Sequence, residues 1–155
     1  MKIIPIKISF RTLLLGILAL ILILSSCFLA QVLPRHSLVM NKKNFTTLLQ
    51  DIHCNTFDYS GDSIKLSGYV FRLPDFKNNQ FVIARNMMIS DTEYRVVGFL
   101  CEYDGETIFE TDTWVKAEGI ITLADYHGPI PIIHLTKICH AKIPDDVTVL
   151  PPSQK

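Results

Sequence analysis

The hydrophobic pattern divides the chain into an N-terminal apolar segment and a longer region in which apolar and polar residues alternate. Thr12–Leu33 is a run of 22 residues without a charged side chain. A helix of that length spans roughly 33 Å, enough for the ~30 Å hydrocarbon core of a bilayer. No second run of this kind follows Pro34. The pattern predicts one N-terminal membrane anchor, residues 1–33, and a single domain held at a membrane surface.

After the anchor, the pattern predicts a linker, a short helix and five strands. Residues 34–44 form the linker, because Pro34 ends the apolar run and a polar stretch follows. Phe45–His53 has apolar residues at helical spacing, and Asn44 before it is suited to capping a helix. The period then becomes two, as in half-buried strands. The predicted strands are Ser63–Leu73, Gln80–Met88, Tyr94–Tyr103, Thr113–Leu123 and Ile130–Ile138.

Five such strands are typical of a small closed barrel. Gly68, in the middle of the first strand, indicates the bend that barrel strands need. We therefore predict an all-β fold with one short helix, a five-stranded OB-like barrel over residues 45–150, with a tail at 151–155. The interval Asp104–Asp112 leaves little room for the usual OB helix, so the N-terminal helix is expected to plug the barrel end. An SH3-like barrel and a small sandwich are the alternatives.

The apolar segment has a second interpretation. Leu24–Cys27 resembles a bacterial lipobox, with Lys2, Lys7 and Arg11 as the basic region of a signal peptide. Because the apolar run continues past Cys27, we favour an uncleaved signal anchor. The first alternative is a lipoprotein that is lipidated at Cys27. The second alternative is a buried helix of a cytoplasmic protein. Basic residues are balanced across the segment, but the very short N-terminus favours a domain outside the cytoplasm, at the cell membrane.

The net charge of the domain limits the classes of partner that we expect it to bind. The whole chain has 15 basic and 15 acidic residues, and the three basic residues before the anchor leave the domain at 12 against 15, a net charge of −3. Binding to phosphate backbones needs a positive surface, so the sequence disfavours nucleic acid as a partner. The same balance disfavours peripheral binding to anionic lipid.

No metal or catalytic motif stands out in the domain. Its cysteines are Cys54, Cys101 and Cys139, an odd number that favours reduced thiols. The pairs His53-Cys54 and Cys139-His140 lack the usual zinc spacing, so we expect one buried cysteine and one surface histidine in each. The acidic run Glu102–Asp112 lacks the ligand spacing of an EF-hand. With no nucleophile elbow, HExxH or glycine-rich phosphate loop, we expect no enzyme activity, metal or cofactor.

Two arginines are the leading candidates for a binding site. Arg72 ends the first strand and Arg85 lies in the second, so pairing of the strands would bring two guanidinium groups together. Like charges that close need a negative partner, and internal carboxylates are favoured over an anionic ligand. The candidate carboxylates are Glu93, Asp112 and Glu118. Aromatic residues are assigned to the core rather than to a base-stacking platform, namely Tyr69, Phe71, Phe81, Phe99 and Trp114.

Several blocks, in order and spacing, resemble the C-terminal domain of the YcgQ-type family, over roughly Phe45–Pro152. The blocks are Gly68–Arg72, Phe81–Arg85, Val97–Phe99, Asp112–Lys116 with Gly119, and Ile138–Pro144. The resemblance implies an OB-like domain beside a membrane anchor, working with a separate polytopic permease. Relatives typically carry a Cys-Cys pair and then Ala-Asp where this chain has Ile89–Glu93, so any role of those thiols is absent here while an acid is kept.

These observations favour a non-enzymatic accessory subunit of a membrane permease, acting through an extracytoplasmic OB-like domain. The candidate residues for ligand or partner binding are Arg72, Arg85, Asp91, Glu93 and Trp114. The alternative is an envelope lipoprotein, lipidated at Cys27, that binds a small anion or a metal. A third and weaker hypothesis is an OB domain that binds oligonucleotides.

Overall fold

The computed structural model describes residues 16–21, 35–105, 109–125 and 128–152. The chain forms two compact units, Met1–Pro34 and Arg35–Lys155. In the first unit, residues 16–21 are helical, while Cys27 and most of the predicted anchor lie outside the described residues. In the described part of the chain, no helix reaches the length and hydropathy required to cross a membrane.

The second unit contains seven strands and two helices among its described residues. In chain order they are β1 (Ser37–Val39), α1 (Phe45–Cys54), α2 (Thr56–Tyr59), β2 (Ser63–Phe71), β3 (Gln80–Met88), β4 (Tyr94–Glu102), β5 (Trp114–Asp125), β6 (Pro129–His140) and β7 (Thr148–Val149). The helix and the five long strands agree with the prediction to within about two residues at most ends.

The five long strands close into a barrel with the OB topology. β2 pairs with β3, β3 with β4, β4 in parallel with β6, β6 with β5, and β5 again with β2. In the order of the barrel strands this is 1-2-3-5-4-1, the Greek-key order of an OB barrel. The predicted fold is confirmed, and the order excludes the SH3-like barrel and the sandwich.

Two short strands lie outside the prediction. β1 falls in the segment predicted as a linker and pairs in parallel with Ser63–Lys65 of β2. β7 follows the last predicted strand and pairs in parallel with Asn86 and Met87 of β3. Strands of three and two residues are too short to show an alternating pattern. Tertiary pairing, rather than local sequence, therefore defines them.

The barrel interior is filled by alternate residues of the long strands. Fully buried side chains include Ile64, Val70, Phe81, Ile83, Phe99, Cys101, Val115, Ile121 and Ile133. Gly68 continues the inward positions of β2, and a Cβ there would lie 2.3 Å from the carbonyl oxygen of Ala84. Only glycine permits this close approach of the β3 backbone.

Helix α1 closes one end of the barrel, as predicted. It contacts β4 and β6, and it buries Phe45 and Ile52 in the core. The ring of His53 stacks on Phe99 with 5.3 Å between the ring centroids. Asn44 precedes the helix, but its side chain does not cap it and instead donates to the Val39 carbonyl. The apolar face of α1 therefore fixes its position without a side-chain cap.

Candidate functional site

Arg85 is a buried cation held between two aromatic rings. It lies in β3 with 7% of its surface exposed. Its guanidinium carbon is 5.5 Å from the centroid of the Phe45 ring and 5.2 Å from that of Trp114. Its Nε donates a 2.9 Å hydrogen bond to the Ser67 carbonyl. We call these four residues the Arg85 cluster.

The position of Arg85 is explained by a gap in strand pairing along one edge of β2. β1 pairs with β2 as far as Lys65, and β3 begins to pair at Tyr69. The Lys65 carbonyl accepts a 2.8 Å bond from the residue after β1, so the Ser67 carbonyl, two residues on, faces the same edge without a strand to bond it. Continued register places Arg85 opposite Gly68, which has no side chain to obstruct it. Arg85 therefore satisfies a carbonyl that the sheet leaves open.

The electrostatics of Arg85 differ from the prediction. Among the described residues, Glu93, Asp112 and Glu118 form no ion pair with Arg72 or Arg85, and the predicted internal salt bridges were wrong. Burial lowers the pKa of the Arg85 guanidinium from its usual range. The aromatic faces and one carbonyl supply the stabilisation that a carboxylate was expected to give.

Arg72 lies apart from Arg85, so the predicted approach of the two guanidinium groups was also wrong. Its Nη1 donates to the carbonyls of Asn78 (3.1 Å) and Gln80 (2.9 Å). Its guanidinium covers the ring of Phe81 at 5.1 Å. Phe81 and Arg85 are four residues apart on β3, a separation of roughly 13 Å along a strand. Arg72 therefore stabilises the β2–β3 connection through hydrogen bonds to its backbone.

Trp114 is the second predicted site residue that the fold brings to Arg85. It is buried, and its Nε1 donates a 3.1 Å hydrogen bond to the Ser67 hydroxyl. Beside it, Tyr69 donates a 2.7 Å hydrogen bond to the Asn86 side chain, and burial raises the pKa of Tyr69. Trp114 thus belongs to a packed polar–aromatic cluster, not to an exposed stacking surface.

Asp91 and Glu93 lie elsewhere, at the turn between β3 and β4. Both are exposed. The backbone of Glu93 accepts a 2.8 Å bond from Ile89, and its carboxylate is 4.0 Å from Nε of Arg95. Glu93 is four residues from Val97, the β4 partner of Arg85. Of the five predicted binding residues, therefore, the structure brings together only Arg85 and Trp114.

The outer surface of β3 and β4 was missed by the sequence interpretation. Its alternate residues point away from the core and carry no basic side chain. We define the β3–β4 face as Val82, Met88, Tyr94, Val96 and Leu100. Tyr94 and Val96 are 48% and 49% exposed. The signal was present in the period-two pattern, whose outward positions on these two strands carry five large hydrophobic side chains beside the polar Gln80, Asn86 and Glu102.

The cysteine environments differ in part from the prediction. Cys54 and Cys139 are exposed free thiols, so the expected buried cysteine in each pair was wrong. In α1 the buried position is taken by the neighbouring Ile52. Burial raises the pKa of the Cys101 thiol to about 12, which makes it unreactive. Within the described residues, no three His, Cys, Asp or Glu side chains lie together as a metal site.

Comparison with solved structures gives distant likenesses. The mitochondrial single-stranded DNA binding protein Rim1 of S. cerevisiae is 13% identical, with 55% of this chain and 98% of that chain covered and a TM-score of 0.38. The N-terminal domain of PriB from Thermoanaerobacter tencongensis is 19% identical, with coverage of 52% and 97% and a TM-score of 0.36. The aspartyl tRNA synthetase of Entamoeba histolytica is 12% identical, with coverage of 73% and 27% and a TM-score of 0.35.

Sequence comparison identifies the family. No curated protein matches the chain. Residues 26–151 match the family model of the DUF1980 C-terminal domain. That match covers the whole barrel with β1, both helices and β7, and it agrees with the resemblance to the C-terminal domain of the YcgQ-type family. The chain therefore belongs to the family of the DUF1980 C-terminal domain.

Proposed function

We propose that the chain is a membrane-anchored, non-enzymatic accessory subunit that binds a polytopic membrane permease through its OB domain. The anchor is the apolar segment Thr12–Leu33, and the domain lies outside the cytoplasm. Membership of the DUF1980 family supports a membrane-related role. In this proposal the barrel is a rigid module that presents one surface to a partner.

The observation that carries the proposal is the β3–β4 face, a set of hydrophobic side chains on an outer surface that has no basic group. In OB barrels, the corresponding second and third strands present the ligand-binding surface. Oligonucleotide binding on that surface requires cationic groups for phosphates and exposed aromatic rings for bases. Here the face has no basic side chain, and Tyr94 is its only aromatic residue. Apolar, uncharged composition suits the core of a protein–protein interface.

Co-purification from native membranes tests this function. The tagged full chain is extracted in mild detergent, and the co-purifying proteins are identified and quantified by mass spectrometry. We expect a polytopic membrane protein at near one-to-one ratio. Tyr94→Glu, which places a charge on the β3–β4 face, should reduce its yield at least fivefold. Ile143→Glu, at a side chain that is 60% exposed and outside every described strand, is the matched control. Recovery of the intact chain alone would refute the proposal.

The Arg85 cluster favours a second candidate, an envelope lipoprotein that binds a small anion. Within the described residues, the Ser67 carbonyl is the only hydrogen-bond acceptor of this buried guanidinium. An anion at its terminal nitrogens would supply the missing charge. Under this candidate, phosphate or sulfate raises the melting temperature of the full chain above its value in chloride, and Arg85→Lys abolishes the rise. Loss of palmitate labelling in Cys27→Ala would support the lipid anchor, and an unchanged melting temperature in all three salts would remove the candidate.

A further inference from the structure

One edge of strand β4 is open over half of its length. In an antiparallel pair, successive residues direct their backbone groups alternately toward the partner strand and away from it. The ladder between β3 and β4 is continued at its ends by bonds from Ile89 to Glu93 (2.8 Å) and from Tyr103 to Asn79 (3.0 Å). These bonds fix the phase: odd-numbered residues of β4 bond β3, and even-numbered residues face the other edge.

The opposite edge is only partly covered. β6 pairs with β4 at Leu100–Glu102 and no further. The amide and carbonyl groups of Tyr94, Val96 and Gly98 face the same edge, where the described residues provide no strand to bond them. An extended backbone beside them would complete the hydrogen bonds that the sheet leaves unmade.

A groove of about 400 Å³ runs beside this open edge. Helix α1 forms one wall, with Leu49 and His53, and the edge of β4 forms the other, with Val96 and Gly98. Pro152 contributes at one side. The lining contains no carboxylate, lysine or arginine, so the occupant it suits is uncharged over the length of the groove.

We propose that this groove binds an extended, uncharged polypeptide segment of a partner protein, which adds to the edge of β4 as a further strand. Backbone groups at alternate positions select another extended backbone, and the apolar walls select alternating apolar side chains. A second copy of the barrel fits poorly, because its own β4 edge has α1 beside it. The inference rests on the proposed function only for the identity of the partner.

Binding of displayed peptides to the full chain in detergent tests the proposal. Random nonapeptides on phage are selected against the wild-type protein, and the best is synthesised. We expect its binding to weaken at least tenfold with Val96→Pro, which removes an outward amide without taking a bond from the β3 ladder. A copy of the peptide that is methylated on alternate amide nitrogens should bind more weakly by a similar factor. Val96→Lys, which keeps the backbone and places a charge on the edge, should also weaken binding, and Ile143→Lys should not.

The outcomes separate this inference from the proposed function. Failure to enrich any peptide, or binding that Val96→Pro and Val96→Lys leave intact, would overturn the strand-addition site. Self-association lost in both variants would assign the edge to a second copy and would also overturn it. If the permease still co-purifies with Val96→Pro, which places no charge on the β3–β4 face, the proposed function holds without this site. If peptides bind but no polytopic protein co-purifies, the site holds and the proposed function fails.

Discussion

Arg85 shows how a buried cation is accommodated without a carboxylate. Its stabilisation comes from contacts that are distant in sequence, namely the rings of Phe45 and Trp114 and the carbonyl of Ser67. Sequence reasoning identified Arg85 and Trp114 separately but supplied the wrong partners. Charge pairing can be guessed from composition, whereas a carbonyl exposed by a gap between two strands is a property of the assembled sheet.

We expect Arg85→Met to destabilise the full chain by roughly 2 kcal/mol. The substitution keeps most of the apolar stem but leaves the Ser67 carbonyl without its donor and removes two cation–π contacts. Denaturant unfolding followed by the fluorescence of Trp114 measures the change. Arg72→Met is the matched control, because Arg72 is less buried and donates to carbonyls in the β2–β3 loop and at the first residue of β3. Equal losses in the two variants would contradict the account of the gap.

At the scale of elements, the long strands were predictable and the short ones were not. β2 to β6 have 9 to 12 residues each, enough to show alternation between a core face and an outer face. β1 and β7 exist because β2 and β3 offer them open edges. Helix α1 was predictable from its apolar face, but its attachment to the C-terminal part of the chain was not.

That attachment depends on a hydrogen bond from the Thr46 hydroxyl to the Leu150 carbonyl, 2.7 Å long and joining residues 104 positions apart. We expect Thr46→Val to preserve α1 but to loosen β7, because the isosteric change removes the donor from a largely buried site. Hydrogen exchange at the Val149 amide should become at least fivefold faster, with exchange in β5 unchanged. An unaltered Val149 rate would show that the β3 pairing alone holds β7.

At the scale of the whole molecule, the OB barrel was predictable from five patterned strands with a glycine in the middle of the first. Composition alone did not show which parts of the folded surface lack charged side chains. The net charge of the domain is an average over all faces, whereas the outer surface of β3 and β4 has no basic side chain and the groove beside α1 has no lysine, arginine or carboxylate.

The buried thiol makes stability depend on pH in the alkaline range. The pKa of Cys101 rises from 9.0 to about 12 in the folded state because of burial. The unfolded chain therefore releases this proton first, and the contribution to stability, present below pH 9, is lost as pH rises from 9 toward 12. Unfolding free energies measured at intervals from pH 8 to 11 should fall less steeply in Cys101→Ala than in wild type. Parallel pH profiles would contradict the assignment.

The position of α1 in the chain has a consequence for the order in which the protein can fold during synthesis. The helix that closes the barrel is made before any barrel strand, yet it packs against β4 and β6. β6 is the last long strand, and it pairs with both β4 and β5. No closed barrel can form until residue 140 has left the ribosome. The apolar face of the nascent helix therefore stays uncovered until the sheet has formed. Early release of a truncated chain would leave that face exposed and prone to aggregation.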